Sequence, residues 1–217
     1  NATGMPARNA AMLALMAKQG LTSAEIANLS GADVEWADQA TPSIDWVSRR
    51  SCWHAAPEPA ALHIPDVTRP AQGRRLELDE LSRRTLRNWL RVRGEHLPAF
   101  DEQLLFFGKH GQLGAPRIYE VAREHIMSIL VHPKHGPADE LTLSHAGPMA
   151  LRSTAIMAWV EEGVDLDELL RRSGLAELRS LKRFFDRISG PMRDRFTAAL
   201  KLSAPNSLPA QAPSPAS

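Results

Sequence analysis

Residues 149–185 read MALRSTAIMAWVEEGVDLDELLRRSGLAELRSLKRFF and carry the densest set of structural signals in the chain. Pro148 stands just ahead of them, and a proline at the first helical position costs nothing because its missing N–H has no intrahelical partner. A helix is therefore expected from Pro148 to Glu162, with Gly163 as its left-handed stop. Asp165-Leu-Asp-Glu168 reads as a capping box that opens a second helix, ending at Gly174. Apolar spacing continues through Leu178–Ile188 and Pro191–Leu202, so this half of the chain is helical.

The same reading runs outward from there. Pro116 opens a helix to about Leu130, with Ile118, Val121, Ala122, Ile126 and Ile129 facing inward. Leu104–Phe107 is a brief apolar strand. Residues 79–93 form a helix with Leu81, Leu86, Trp89 and Leu90 on one face and Gly94 after it, led in by a short strand over Arg75–Leu78. Residues 51–74 contain five prolines or glycines and read as a long irregular insertion, and Ser43–Arg50 alternates like a strand. At the start, residues 7–19 spell a buried Ala/Leu/Met helix stopped by Gly20, and Thr22-Ser-Ala-Glu25 is a capping box for a short helix through Leu29. The fold class expected is mainly α with a small antiparallel β-sheet (α+β). Residues 1–6 read as an N-terminal extension, residues 7–202 as one domain, and the Pro/Ala/Ser-rich residues 203–217 as a tail unable to pack a core.

Composition narrows the function classes. With 217 residues, 43% hydrophobic and 24% charged, the chain suits one globular domain. Its single cysteine, Cys52, excludes a disulfide framework and a Cys-rich zinc site, and fits a cytoplasmic setting. No apolar run approaches the roughly 18 residues that read as a membrane span, so no membrane partner is expected. The net charge is only +1, but it is unevenly spread: residues 69–93 hold 8 Arg against 3 carboxylates. That local excess marks a candidate phosphate-facing patch, with an Arg-rich solvated helix face as the plainer explanation.

Four stretches, in order, resemble the catalytic domain of tyrosine recombinases (phage integrases). They are GLTSAEIANLSGADVEW at 20–36, RRLELDELSRRTLRNWL at 74–90, LLFFGKHGQLG at 104–114 and the opening stretch at 149–185. The last is the most specific, because Leu-Arg, the Gly-Val-Asp-Leu turn and the following Gly all fall in register. The resemblance covers roughly residues 7–188. It implies a DNA breaking-rejoining chemistry in which a Tyr hydroxyl attacks a DNA phosphate. Two Arg clamp the non-bridging oxygens, while a Lys and one or two His handle protons. Double-stranded DNA is the implied partner, together with the chain's own copies or other recombinase subunits. No cofactor and no metal are implied, and the nucleoid is the implied location. No core-binding domain is recognisable ahead of residue 7.

Carried over residue by residue, the resemblance departs from the family at most catalytic positions. Thr22 stands where the first Arg belongs, while Glu25 keeps the family's Glu. The second Arg is present as Arg152. Met149 replaces the His three residues before it, Ser153 the His after it, and Leu175 the His of the Gly-His pair. Phe184 stands at the Tyr position; the only tyrosine, Tyr119, lies on another helix. The hairpin Lys has no clear counterpart, Arg74 and Arg75 being nearest. A Phe ring cannot attack phosphorus, and losing one preorganised donor typically costs about 10²–10³ in rate, so a catalytically inactive chain is expected.

Plainer readings stand beside these. Thr22 reads as a helix N-cap, Arg152 as a structural Arg paired with a carboxylate such as Glu25, and Phe184 and Phe185 as core. His125, His132, His135 and His145 lack ligand periodicity and are not expected to hold a metal. Arg74, Arg75, Arg83 and Arg152 are the candidate DNA contacts. Two alternatives come from other classes. One is a helix-turn-helix regulator, built on residues 21–36 or 163–184. The other is an interaction module that assembles with active recombinases.

Overall fold

The structure is a computed structural model that describes residues 4–37, 58–66, 73–96, 104–108, 111–130, 146–175, 177–187 and 190–202. Among the described residues it has helices α1 (Gly4–Gln19), α2 (Ser23–Asn28), α3 (Glu80–His96), α4 (Ala115–Leu130), α5 (Pro148–Glu161), α6 (Leu166–Ser173) and α7 (Gly190–Leu202). A 3-10 helix spans Leu178–Arg187, between α6 and α7. The strands are β1 (Val34–Trp36), β2 (Pro59–Ile64), β3 (Arg74–Glu77), β4 (Phe107–Gly108) and β5 (Gly111–Gln112).

Helix α1 is the axle of the fold. Ala11, Met12, Leu15 and Met16 are buried, and α1 packs against α3 on one side and α5 on another. It begins at Gly4, inside the segment expected to be an extension. Gly20 ends it with φ +65, and a Cβ there would also meet the Trp159 ring at 3.0 Å. Both backbone and space therefore call for glycine.

β1, β2 and β3 form an antiparallel sheet in that order. Leu62 is paired with Val34 on one side and Leu76 on the other, and all three are buried, which fixes the register. Two expectations are corrected here. Residues 51–74 are not irregular throughout, because Pro59–Ile64 is the central strand; Ala61, Leu62 and Ile64 are buried in it. The prolines punctuate its edges: Pro59 begins it and Pro65 follows it. Val34–Trp36, not anticipated as a strand, is its partner. The strand expected at Ser43–Arg50 and the tail at 203–217 lie outside the described residues.

The Leu104–Phe107 segment is only partly a strand. Phe107 alone enters the β4–β5 ladder, and Leu104 makes an isolated bridge to Ser30. Side chains capture three of its carbonyls: Trp89 Nε1 donates to Leu105 O at 2.9 Å, Arg93 Nη2 to Leu104 O at 2.6 Å and Arg8 Nη1 to Phe107 O at 3.0 Å. Arg8 and Arg93 are buried because they satisfy main-chain acceptors there. On α3, Leu86, Trp89 and Leu90 face the core as expected, whereas Leu81 is exposed and Ser82 takes an inward place. On α4, Ile118, Val121 and Ala122 are buried while Ile129 is exposed.

A second apolar cluster joins the far face of α5 (Ala155, Ile156, Trp159, Val160) to Leu169, Leu181, Phe184 and Phe196. The four elements of the helical half are held together by it. Asp165 caps α6 by accepting from Leu166 N at 2.8 Å. Glu168, expected to complete a capping box, is instead held by Arg171 and Arg172.

Candidate functional site

Four chain segments converge on Glu25. Thr22 is the N-cap of α2, accepting from Glu25 N at 3.1 Å, while Glu25 Oε2 accepts from Thr22 N at 2.8 Å. The reciprocal pair satisfies two orphan donors and turns the Glu25 carboxylate back toward the start of the helix. There Arg74 Nη1, from the first residue of β3, donates to Glu25 Oε1 at 2.6 Å. Arg152 Nη1, from α5, lies 3.6 Å from Glu25 Oε2. The fourth segment is the C-terminal end of α6: Arg74 Nε donates to Arg172 O at 3.0 Å and Arg152 Nη2 to Ser173 O at 2.6 Å. The last carbonyls of a helix lack intrahelical donors and sit at its negative end, so two guanidinium groups fit them in both charge and hydrogen bonding.

This cluster is interior. The side chains of Arg74, Glu25 and Arg152 are 3%, 3% and 6% exposed. Burial alone pushes the Glu25 carboxyl up. The hydrogen bond and charge of Arg74 oppose that, joined by Thr22 N–H and the charge of Arg152, and the net result lies below the ordinary carboxylate range. Gly174 closes the arrangement: it turns the chain at φ +64, and a Cβ on it would lie 2.5 Å from Arg74 Nη1. The approach of the guanidinium requires the missing side chain.

The structure thus brings Thr22, Glu25, Arg74, Arg152 and Gly174 together. The two guanidinium groups of the cluster come from Arg74 and Arg152; Thr22, at the first-Arg position, contributes a helix cap. Sequence reasoning grouped Arg74 with surface cations. The signal that separates it is strand alternation in Arg74-Arg-Leu-Glu77, where Arg74 and Leu76 are buried and Arg75 and Glu77 exposed.

The other candidates fall elsewhere. Arg75 is exposed and gives both Nε and Nη2 to Glu35 at 2.7 Å, with Glu77 at 3.2 Å. Arg83 folds back to Leu78 O at 2.8 Å. The expectation that Arg74, Arg75, Arg83 and Arg152 share one phosphate-facing surface is therefore corrected, since two are in the core and two are committed to local partners. A cavity of about 570 Å³ opens between α1, β3, α5 and α6. Of the cations lining it, Arg75, Arg171 and Arg172 are held by Glu35, Glu77 or Glu168, and Lys18 lines it as well.

Of the remaining family positions, Met149 is exposed and Ser153 donates its hydroxyl to Met149 O at 2.7 Å. Leu175 is half-buried. Phe184 is 5% exposed within the second apolar cluster. Tyr119 is exposed on α4, with its ring 3.2 Å from where a Gly147 Cβ would stand, next to the start of α5. His125 is exposed on α4, and His132, His135 and His145 lie outside the described residues. Among the described residues, no group of three or more His, Cys, Asp or Glu could hold a metal ion. No helix among them is long and apolar enough to cross a membrane.

Solved structures share this architecture. The crystal structure of XerA recombinase matches with a TM-score of 0.59 at 16% identity, over 91% of this chain and 60% of that one. The fold is tyrosine recombinase catalytic-domain-like. The Tn1549 transposon integrase in complex with transposon right end DNA matches with a TM-score of 0.53 at 15% identity, over 90% of this chain and 58% of that one. The same integrase with a circular intermediate DNA gives 0.52 at 14% identity, over 88% and 58%. This chain therefore spans about 60% of the length of the recombinases it resembles. No protein-family model matches it, and no curated protein does.

The helix-turn-helix alternative loses both its placements in this recombinase-like fold. In residues 21–36, α2 is followed by a 3-10 turn and strand β1 rather than a recognition helix. In residues 163–184, α6 is followed by a 3-10 helix. A reading helix needs to present its N-terminal residues to the major groove, and neither unit has a second α-helix.

Proposed function

We propose that this chain is a DNA-binding domain of recombinase fold that does not cleave DNA. The observation that carries the reading is the commitment of Arg152. Its guanidinium, the one arginine retained at a family catalytic position, faces Glu25 and Ser173 O in the interior. A phosphate clamp needs that charge directed at the substrate. Phe184, at the nucleophile position, is core and has no hydroxyl to offer. The DNA partner is supported by the integrase neighbours, which are described in complex with DNA, and by the arginine excess of residues 69–93. On DNA, copies of this chain or other recombinase subunits are the implied company, and the nucleoid the implied location.

The test is binding of the purified chain to a 30-base-pair duplex, followed by fluorescence anisotropy as salt is raised. The expected result is weak, sequence-tolerant binding that falls steeply with salt, by about 0.9 logarithmic units per decade for each phosphate contacted. Absence of binding at low salt would remove DNA as the partner.

A further inference from the structure

We infer that the outward face of α3 is a nucleic-acid backbone contact, made by Arg84, Arg87 and Arg91. This goes beyond the reading above, on which it rests, by assigning the contact to residues outside the Glu25 cluster.

The helix itself supplies the argument. α3 turns Leu86, Trp89 and Leu90 into the core and packs on α1. Arg84, Arg87 and Arg91 fall on the opposite side and are all exposed. Spacings of three and four residues bring them into one stripe, about 4.5 and 6 Å apart along the helix axis. Arg69 lies outside the described residues, and the other seven arginines of residues 69–93 divide by what holds them. Arg74 belongs to Glu25, Arg75 to Glu35 and Glu77, and Arg83 to Leu78 O. Arg93 is buried against Leu104 O. Arg84, Arg87 and Arg91 have no ion pair among the described residues; Arg91 makes one weak hydrogen bond to Asn88, at 3.3 Å. Glu80, four residues before Arg84, is not paired with it either.

Three guanidinium groups on a solvent-facing ridge form a stripe of charge +3 that no carboxylate among the described residues pairs with. A duplex strand presents one phosphate per about 3.4 Å of axis. The ridge, about 10.5 Å from Arg84 to Arg91 by helical rise, spans enough of a strand for each arginine to reach its own phosphate. Guanidinium is also the cation whose donor fork matches phosphate oxygens. α1 lies between α3 and α5, packing on both, so this ridge is separate from Arg152. The complementary surface is a regular polyanion, and duplex DNA is the occupant.

The experiment compares the full chain with an R84Q/R87Q/R91Q variant on the same 30-base-pair duplex, between 50 and 200 mM salt. Gln has nearly the helix propensity of Arg, so the helix is retained; matching thermal melts by circular dichroism verify it. The expected result is a salt slope smaller by about 2.7 in the variant, so that wild type loses about 40-fold more affinity than the variant over that range. Equal slopes for both proteins would overturn the α3 contact while leaving DNA binding intact. Absence of binding by wild type at any salt would overturn the functional reading and this contact with it.

Discussion

Replacing Glu25 with glutamine lowers the unfolding free energy by about 3–5 kcal/mol, the usual loss when one partner of a buried ion pair is removed. The substitution keeps the shape and leaves two guanidinium groups, 3% and 6% exposed, with no carboxylate between them. Their hydrogen bonds to Arg172 O and Ser173 O cannot replace the lost charge. Chemical denaturation at pH 7 measures the effect. A second signature lies in acid. Because the Glu25 pKa is below its unfolded value, its contribution is present above about pH 4.5 and lost as pH falls through the folded pKa. The gap between wild type and Glu25→Gln therefore narrows below about pH 4.5. Glu35 and Glu168 are also held down, each to about 2, by Arg75 and by Arg171 respectively. Both are partly exposed, and solvent screening keeps their share small. A gap that stays constant down to pH 3 would show that the carboxylate is not the centre of the cluster.

Phe184→Tyr does not restore DNA cleavage, and it costs about 1–3 kcal/mol of stability. The ring is 5% exposed among Leu181, Phe196 and the α5 face, so a hydroxyl added to it enters an apolar cluster. Even a phenol that reached solvent, with a pKa near 10, is a poor nucleophile at neutral pH without a base and an electrophilic clamp. The supporting positions hold Thr22, Met149 and Leu175, and Thr22 is already occupied in capping α2. Adding Thr22→Arg breaks that cap, at about 0.5–2 kcal/mol, and sets a third guanidinium beside a carboxylate that already has two. The check is a pair of assays on one preparation: thermal unfolding for the stability loss, and cleavage of an end-labelled duplex for activity. Cleavage by the single variant would show that the supporting groups come from other residues.

The helical half was legible in the sequence because its punctuation is local. Pro148, Gly163, Asp165 and Gly174 act within a few residues of themselves, and each does in the structure what its chemistry dictates. The Thr22–Glu25 capping box is equally local. The sheet was harder, since Val34–Trp36 and Pro59–Ile64 are short and gain their identity from pairing with each other and with β3. Prolines around β2 look like loop punctuation until a partner strand is known. In the site, the positions of Thr22, Glu25 and Arg152 followed from the resemblance, and a Glu25–Arg152 pairing was one of the readings. A count of charges treats Arg74 and Arg75 alike, whereas the strand sends them to opposite faces, Arg74 inward and Arg75 outward.

The resemblance supplies one further constraint on catalysis, the identity of the attacking group. Tyr119 is the single tyrosine of the chain and lies against Gly147, two residues before Met149 at the family's His position. It is exposed, which makes it the tyrosine of this chain to test for attack on DNA.

Trapping with a nicked suicide duplex tests the central claim most directly. In such a substrate a tyrosine that attacks the phosphate releases a short strand that diffuses away, leaving the protein covalently joined to DNA. The account predicts that the chain binds this duplex and runs only as free protein on a denaturing gel, with no retarded band after prolonged incubation. A retarded band that disappears in Tyr119→Phe would contradict it, showing that the chain cleaves DNA with a nucleophile from α4.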